Sequence, residues 1–96
     1  MRLTNRERNI IKKIILRHIK NANIILFGSR VYDNKKGGDI DLLIQTNENI
    51  GLKEEIKILT ELEYNGIERK VDLLIQSPYK KEQSIFKTAI KEGIVL

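Results

Sequence analysis

The chain has 96 residues, of which 41% are hydrophobic and 32% charged, and it contains no cysteine. This length predicts a single domain over residues 1–96. The lack of cysteine excludes disulfides and thiolate metal sites and favours a cytoplasmic protein. No apolar stretch reaches the length of about 20 residues that a membrane-spanning helix needs, and the N-terminus lacks the apolar middle of a signal peptide. We therefore expect no membrane partner.

The net charge of +5 is concentrated at the N-terminus. The first 20 residues contain seven Arg and Lys residues but a single acidic residue, Glu7, so the remainder of the chain is close to neutral. A basic stripe of this kind attracts phosphates or an acidic partner. It is equally compatible with a solvated helix face, and the sequence leaves both interpretations open.

The first predicted element is a helix over residues 4–20. Its start, Thr4-Asn5-Arg6-Glu7, has the spacing of a capping box, and five isoleucines follow on one helical face. His18 is the only histidine, and because no second ligand candidate lies near it we predict a helix-surface residue. The apolar run from Asn23 to Phe27, which ends at Gly28, predicts the first strand.

The middle of the chain alternates between strands and helices. Ser29 is suited to cap a short helix over 30–33, and a polar, glycine-rich loop follows. A strand is predicted over 39–45, a helix from the apolar positions 52, 56, 59 and 62, and a strand over 69–76. This strand-helix-strand unit predicts a right-handed crossover with parallel strands. The short connection before it predicts that the first two strands are antiparallel.

The C-terminal part predicts a helix and a short edge strand. Ser77-Pro78 has the residues of a helix start, with Ser as the cap and Pro at the first helical position. Apolar residues at 85, 86, 89 and 90 give this helix a buried face, Gly93 ends it, and residues 94–96 follow as the strand. The expected fold class is α/β (α+β), a small mixed β-sheet with helices packed mainly on one face, in the order α-β-α-β-α-β-α.

Three aspartates are predicted to converge at the start of two neighbouring strands. Asp39 and Asp41 are two residues apart and therefore point to one face of a strand. Asp72 starts the second copy of a repeated pentapeptide, since Asp41–Gln45 and Asp72–Gln76 have the same five residues. If the two strands are parallel neighbours in matching register, Asp72 lies about 4.8 Å from Asp41.

Carboxylates this close repel one another unless cations lie between them. Oxygen ligands without a Cys or His cluster favour Mg²⁺ or Mn²⁺ over zinc. Two such ions would clamp the attacking and leaving oxygens of a phosphoryl transfer, with Asp39 and Asp41 as bridging ligands. Asp72 would bind one ion and accept a proton from the incoming hydroxyl. Taken alone, Asp72 is also compatible with an ion pair to Arg69 or Lys70.

The turn after the first strand predicts a phosphate site. Gly28 lets the backbone approach a ligand closely, and a helix after Ser29 would offer free N–H groups and the positive end of its dipole. Arg30, with Lys35 and Lys36 as weaker candidates, adds positive charge. We therefore predict that the β- and γ-phosphates of a nucleoside triphosphate bind here.

Together these motifs resemble the signature of the DNA polymerase β-like nucleotidyltransferase superfamily, which combines Gly-Ser, a variable gap, Asp-x-Asp and a distant third acid. Here it reads Gly28-Ser29, Asp39-Ile40-Asp41 and Asp72, and residues 91–96 resemble the ends of the minimal nucleotidyltransferases (MNT). The gap between Ser29 and Asp39 is one residue shorter than in the commonest pattern among those members of this superfamily that act as antitoxins. The resemblance implies a polymerase β palm-like fold, ATP as substrate and two Mg²⁺ ions, with Mn²⁺ as a substitute.

The resemblance also implies a partner. Minimal nucleotidyltransferases of this size resemble antitoxins that are paired with a HEPN-type ribonuclease toxin and silence it by adenylylating a tyrosine (AMPylation). Carried over residue by residue, the metal ligands are Asp39, Asp41 and Asp72, with Asp72 also as the base. Gly28, Ser29 and Arg30 are the nucleotide-binding residues.

Two other functions stay open. The chain is also compatible with a non-catalytic antitoxin that neutralises its partner by binding, although a relic would be expected to lose at least one of the acids. Transfer to RNA or to a small molecule is the other alternative. Only three Tyr and two Phe are present, which argues against a nucleic-acid surface. An exposed sheet edge would allow a homo-oligomer.

Overall fold

The computed structural model describes residues 3–28 and 38–96, and these form three helices and a four-stranded sheet. The elements are α1 (Asn5–His18), β1 (Asn23–Phe27), β2 (Ile40–Gln45), α2 (Leu52–Tyr64), β3 (Val71–Gln76), α3 (Ser84–Glu92) and β4 (Ile94–Val95). The short helix predicted over 30–33, with Ser29, Arg30, Lys35 and Lys36, lies outside the described residues. No helix in the described part of the chain has both the length and the apolar character needed to cross a membrane.

The N-terminal capping box is confirmed. The Glu7 N–H donates to Thr4 Oγ1 at 3.0 Å, and the Thr4 N–H donates to Glu7 Oε1 at 3.0 Å. These two bonds satisfy backbone donors that have no partner within the helix. The Glu7 carboxylate also lies 3.4 Å from Arg69 Nε, which joins the start of α1 to the segment before β3.

The sheet has the strand order β3-β2-β1-β4. As predicted, β1 is antiparallel to β2, whereas β2 and β3 are parallel across the crossover through α2. The C-terminal residues form the predicted edge strand, because β4 pairs antiparallel with β1. The repeated pentapeptides pair residue for residue, from Asp41 with Asp72 to Gln45 with Gln76. At the far end of this pairing the Gln45 Nε2 donates to Gln76 Oε1 at 3.0 Å.

Alternate strand residues belong to two hydrophobic clusters on opposite faces of the sheet. Ile24 and Leu26 of β1 join the larger cluster, which contains the buried residues of α1 and α2. Ile25 and Phe27 join a smaller one with Phe86 of α3. Two helices therefore lie on one face and one on the other, which agrees with the prediction that helices pack mainly on one face.

The helix start predicted at Ser77-Pro78 is wrong. The Lys80 N–H donates to the Ser77 carbonyl at 3.1 Å, and the Tyr79 N–H donates to Ser77 Oγ at 3.3 Å, so these residues form a turn. Ser followed by Pro suits the first two positions of a β-turn as well as a helix start. The polar residues 80–83 offer no apolar face to pack, and α3 begins at Ser84.

The apolar face of α2 differs from the predicted one. Ile58 and Leu62 are buried, but Leu52 is 71% and Ile56 54% exposed. The predicted spacing identified the helix correctly and included Leu62. The buried face is instead set by the direction from which α1 approaches.

His18 is not the surface residue that the sequence predicts. Its side chain is 14% exposed, and its ring lies between two carboxylates of α2. Nε2 contacts Glu61 Oε2 at 2.9 Å, and Nδ1 contacts Glu54 Oε2. Burial of the ring is the largest influence and lowers the pKa, but the hydrogen bonds and charges of Glu61 and Glu54 together raise the pKa of His18 above its ordinary 6.5. The His18 side chain therefore links α1 to α2.

Candidate active site

The predicted acids lie where the carboxyl end of β1 meets the amino ends of β2 and β3. Phe27, the last residue of β1, pairs with Asp41, and Asp41 pairs in turn with Asp72. The register is set just before these residues, because the Ile40 N–H donates to the Lys70 carbonyl at 2.8 Å. The sequence-based expectation that Asp72 stands beside Asp41 on a parallel neighbour is confirmed.

Both carboxylates point to the face of the sheet on which α3 packs. Ile40 and Leu42, which flank Asp41, belong to the larger cluster on the opposite face. Side chains alternate along a strand, so Asp41 shares its face with Leu43 of the smaller cluster. Asp72 shares the same face with Leu74. Packing of the flanking apolar residues thus fixes the direction of both acids.

Gly28 and Asp41 are fitted to one another. Gly28 has a φ of +84°, in the region that favours glycine. A β-carbon at this position would overlap Asp41 Oδ2 and stand 3.2 Å from Asp41 Cγ. The side chain of Asp41 therefore occupies space that only a glycine leaves open. The sequence analysis assigned this space to a bound phosphate, and that assignment stays a prediction; the group that lies closest to Gly28 here is the Asp41 carboxylate.

The other two predicted acids, Asp39 and Asp72, lie near Asp41. Asp39 is exposed and directly precedes β2, two residues from Asp41. The Asp72 side chain is 47% exposed, and its Oδ1 lies 3.7 Å from Lys70 Nζ. Of the two cations that the sequence offered to Asp72, Lys70 is the one that contacts it. Arg69 instead contacts Glu7.

The side chains of the three aspartates are not arranged as a preformed metal site. Among residues 3–28 and 38–96, no group of three or more His, Cys, Asp or Glu side chains is arranged to hold a metal ion. The donor set nevertheless suits Mg²⁺, since Asp41 and Asp72 are paired residues that carry carboxylate oxygens and Asp41 lies in the space left by Gly28. The two-metal site therefore stays a prediction.

The triphosphate-binding prediction stays a prediction. Gly28 lies at the end of β1 and next to Asp41. Ser29 and Arg30 lie outside the described residues, as do Lys35 and Lys36. Sequence reasoning did not anticipate that Asp41 packs on Gly28, because the antiparallel pairing of β1 with β2 brings these residues together across 13 positions of the chain.

Comparison with known proteins places the chain among nucleotidyltransferases. The family profile described as "Polymerase beta, Nucleotidyltransferase" matches residues 9–96. Among curated proteins, none matches the chain significantly. A chain from the solved structure of the tri-AMPylated Shewanella oneidensis HEPN toxin in complex with MNT antitoxin has the same fold, with a TM-score of 0.66 and 20% sequence identity. The match covers 94% of this chain and 67% of that one.

Proposed function

This chain belongs to the polymerase beta nucleotidyltransferase family, and we propose that it is an antitoxin that transfers AMP from ATP to a tyrosine hydroxyl of a HEPN-type toxin. The observation that carries the proposal is the pairing of Asp41 with Asp72 beside Gly28. The likeness to a structure whose HEPN toxin is AMPylated and bound to an MNT antitoxin supports the choice of acceptor.

Each residue has a defined role in this transfer. Asp39 and Asp41 would hold Mg²⁺, which would supply Lewis-acid stabilisation of the charge on the phosphates. The acceptor hydroxyl oxygen forms a bond to the α-phosphorus, and the bond from that phosphorus to the pyrophosphate breaks. Asp72 accepts the hydroxyl proton and would also serve as a metal ligand. Gly28, Ser29 and Arg30 hold the triphosphate.

Transfer of label tests the proposal. The chain is incubated with ATP labelled at the α-phosphate, Mg²⁺ and a purified HEPN-type toxin, and label on the toxin is measured. We expect Asp72→Asn to reduce the rate by about 100-fold or more, because a base is removed. Glu48→Gln removes an exposed carboxylate away from the site and serves as the matched control. Absence of label on a toxin that binds the wild-type chain would contradict the proposal.

A second function is neutralisation by binding alone. The observation that favours it is the absence of a finished three-acid cluster in the described part of the chain. A double variant with Asp39→Asn and Asp41→Asn separates the two functions. If this variant neutralises the toxin as well as the wild type does at equal expression, binding is sufficient and transfer is not the mechanism.

A further inference from the structure

β3 forms one edge of the sheet. In the strand order β3-β2-β1-β4, β3 pairs with β2 on one side and with no other strand of the described residues on the other. Its pairing with β2 is continuous over six residues, from Val71 to Gln76. The other edge, β4, has two residues. The long edge is therefore the one on which Asp72 lies.

The direction of the backbone groups of β3 follows from two hydrogen bonds. The carbonyls of Lys70 and Gln76 accept from the N–H groups of Ile40 and Thr46, at 2.8 and 3.0 Å. Backbone groups alternate in direction along a strand, and the carbonyl and N–H of one trans peptide point oppositely. The outward N–H and C=O groups of β3 consequently belong to Val71, Leu73 and Ile75.

This edge carries few of the features that normally prevent strand addition. Proteins protect long edges with lysines on the strand, proline or bulges. The sequence of β3, Val-Asp-Leu-Leu-Ile-Gln, contains one charged residue and no Pro or Gly, and its register with β2 has no bulge. Lys70 lies before the strand and contacts Asp72. The edge can therefore accept another strand.

We propose that the acceptor protein docks as an extended segment that adds a strand to the outer edge of β3. This inference rests on the proposed function and specifies how its substrate is presented. A strand added there lies about 4.8 Å from β3, so a side chain opposite Asp72 and on its face of the sheet is next to its carboxylate. Main-chain hydrogen bonds to Val71, Leu73 and Ile75 supply the binding.

A second copy of this chain is the competing occupant. Pairing of two β3 edges would place a strand without a hydroxyl-bearing residue opposite Asp72, since β3 contains no Ser, Thr or Tyr. It would also cover the base that the reaction uses. The position of Asp72 on the edge strand therefore favours an acceptor segment over self-association.

Amide hydrogen exchange tests the docking mode without any substitution. The free chain and its mixture with the HEPN-type toxin used in the labelling assay are compared by residue-resolved exchange. We expect the amides of Val71, Leu73 and Ile75 to exchange rapidly in the free chain and at least about tenfold more slowly in the mixture. The amides of Asp72 and Leu74, which face β2, serve as internal controls that are protected in both.

A pair of substitutions at Leu73 gives a second readout. Leu73→Pro removes an outward N–H and leaves the ladder with β2 intact, whereas Leu73→Ala loses the same side chain but keeps the N–H. We expect Leu73→Pro to weaken toxin binding at least about tenfold relative to Leu73→Ala. Thermal unfolding shows whether each variant is folded. If Leu73→Pro does not fold, the exchange experiment alone tests strand addition.

The outcomes separate this inference from the function on which it rests. Label transfer to the toxin without slower exchange at Val71, Leu73 and Ile75 overturns strand addition and leaves the transferase. Slower exchange without label supports strand addition as a mode of binding and overturns the transfer. Slow exchange of these amides in the free chain that depends on its concentration assigns the edge to a second copy and overturns the proposal.

Discussion

The side chain of Asp41 lies in the space where any residue other than glycine at position 28 would carry its β-carbon. Gly28→Ala should therefore impair the site in two ways, by straining a backbone with φ of +84° and by displacing the carboxylate. We expect a loss of stability of about 1–2 kcal/mol from the backbone alone. We also expect AMP transfer, measured by label transfer, to fall by more than the loss of folded chain explains. Urea unfolding measures that loss.

Gly51→Ala is the matched control for this substitution. Gly51 has a φ of −87°, and beyond its two chain neighbours no atom lies within 4 Å of an added β-carbon. It should retain transfer activity and lose at most a small amount of stability. Equal activity of the two alanine variants would contradict the importance of the contact between Gly28 and Asp41.

Binding of Mg²⁺ and ATP should depend on Asp41. A ligand that binds only the folded chain raises its stability by about 2.7 kcal/mol at 100 times its Kd. We expect Mg²⁺ with ATP to raise the thermal midpoint of the wild type and of Glu48→Gln, but not that of Asp41→Asn. An undiminished shift in Asp41→Asn would show that this carboxylate is not a ligand.

The packing of β2 should be more sensitive to truncation than the exposed side of α2. Leu42 is fully buried in the larger cluster, and Leu42→Ala should cost about 2–5 kcal/mol. Leu52 is 71% exposed, and Leu52→Ala should change stability by less than about 0.5 kcal/mol. Urea unfolding of both variants measures the difference, and similar losses would contradict the assignment of the core.

The link between His18 and α2 should make stability depend on pH. The pKa of His18 is raised in the folded chain, so its stabilisation is fully present below the unfolded pKa of 6.5 and is lost as the pH rises through the folded pKa. His18→Gln removes this titration. We expect the stability advantage of the wild type over His18→Gln, measured by urea unfolding, to shrink as the pH is raised above about 6.5.

Glu61, which contacts His18, makes stability depend on pH in the opposite direction. Hydrogen bonds from His18 and Arg17 lower the pKa of Glu61 below its ordinary 4.5. The contribution of Glu61 to stability is therefore present above pH 4.5 and is lost as the pH falls through the folded pKa.

Nuclear magnetic resonance titration of the His18 ring measures the pKa of His18 directly. A value at or below 6.5 would contradict the link between His18 and α2.

The part of the site that depends on strand pairing could be predicted from the sequence. The repeated pentapeptide and the crossover between its copies placed Asp41 beside Asp72, because a parallel register follows from matched apolar patterns. The part that depends on helix packing could not. Glu54 and Glu61 are seven residues apart, and they meet His18 only because α1 approaches that side of α2.

Local signals were ambiguous where two structures use the same residues. Ser77-Pro78 fits a turn and a helix start equally well, and the lack of apolar residues between Lys80 and Gln83 decides for the turn. At Leu52 and Ile56 the spacing was compatible with a buried face, but α1 packs on the side of Ile58 and Leu62. Propensity defines such elements, and tertiary contacts select their orientation.

Because the two pentapeptides pair residue for residue, the packing of their apolar residues in the core also places Asp41 beside Asp72. A shift of β3 by one residue would turn Asp72 towards the isoleucines and leucines beneath α1 and α2 and expose Leu73 in its place. The cost of burying that charge excludes the shifted arrangement. Apolar residues far from any substrate, such as Ile44 and Ile75, thereby keep the two carboxylates abreast before a nucleotide or a partner arrives.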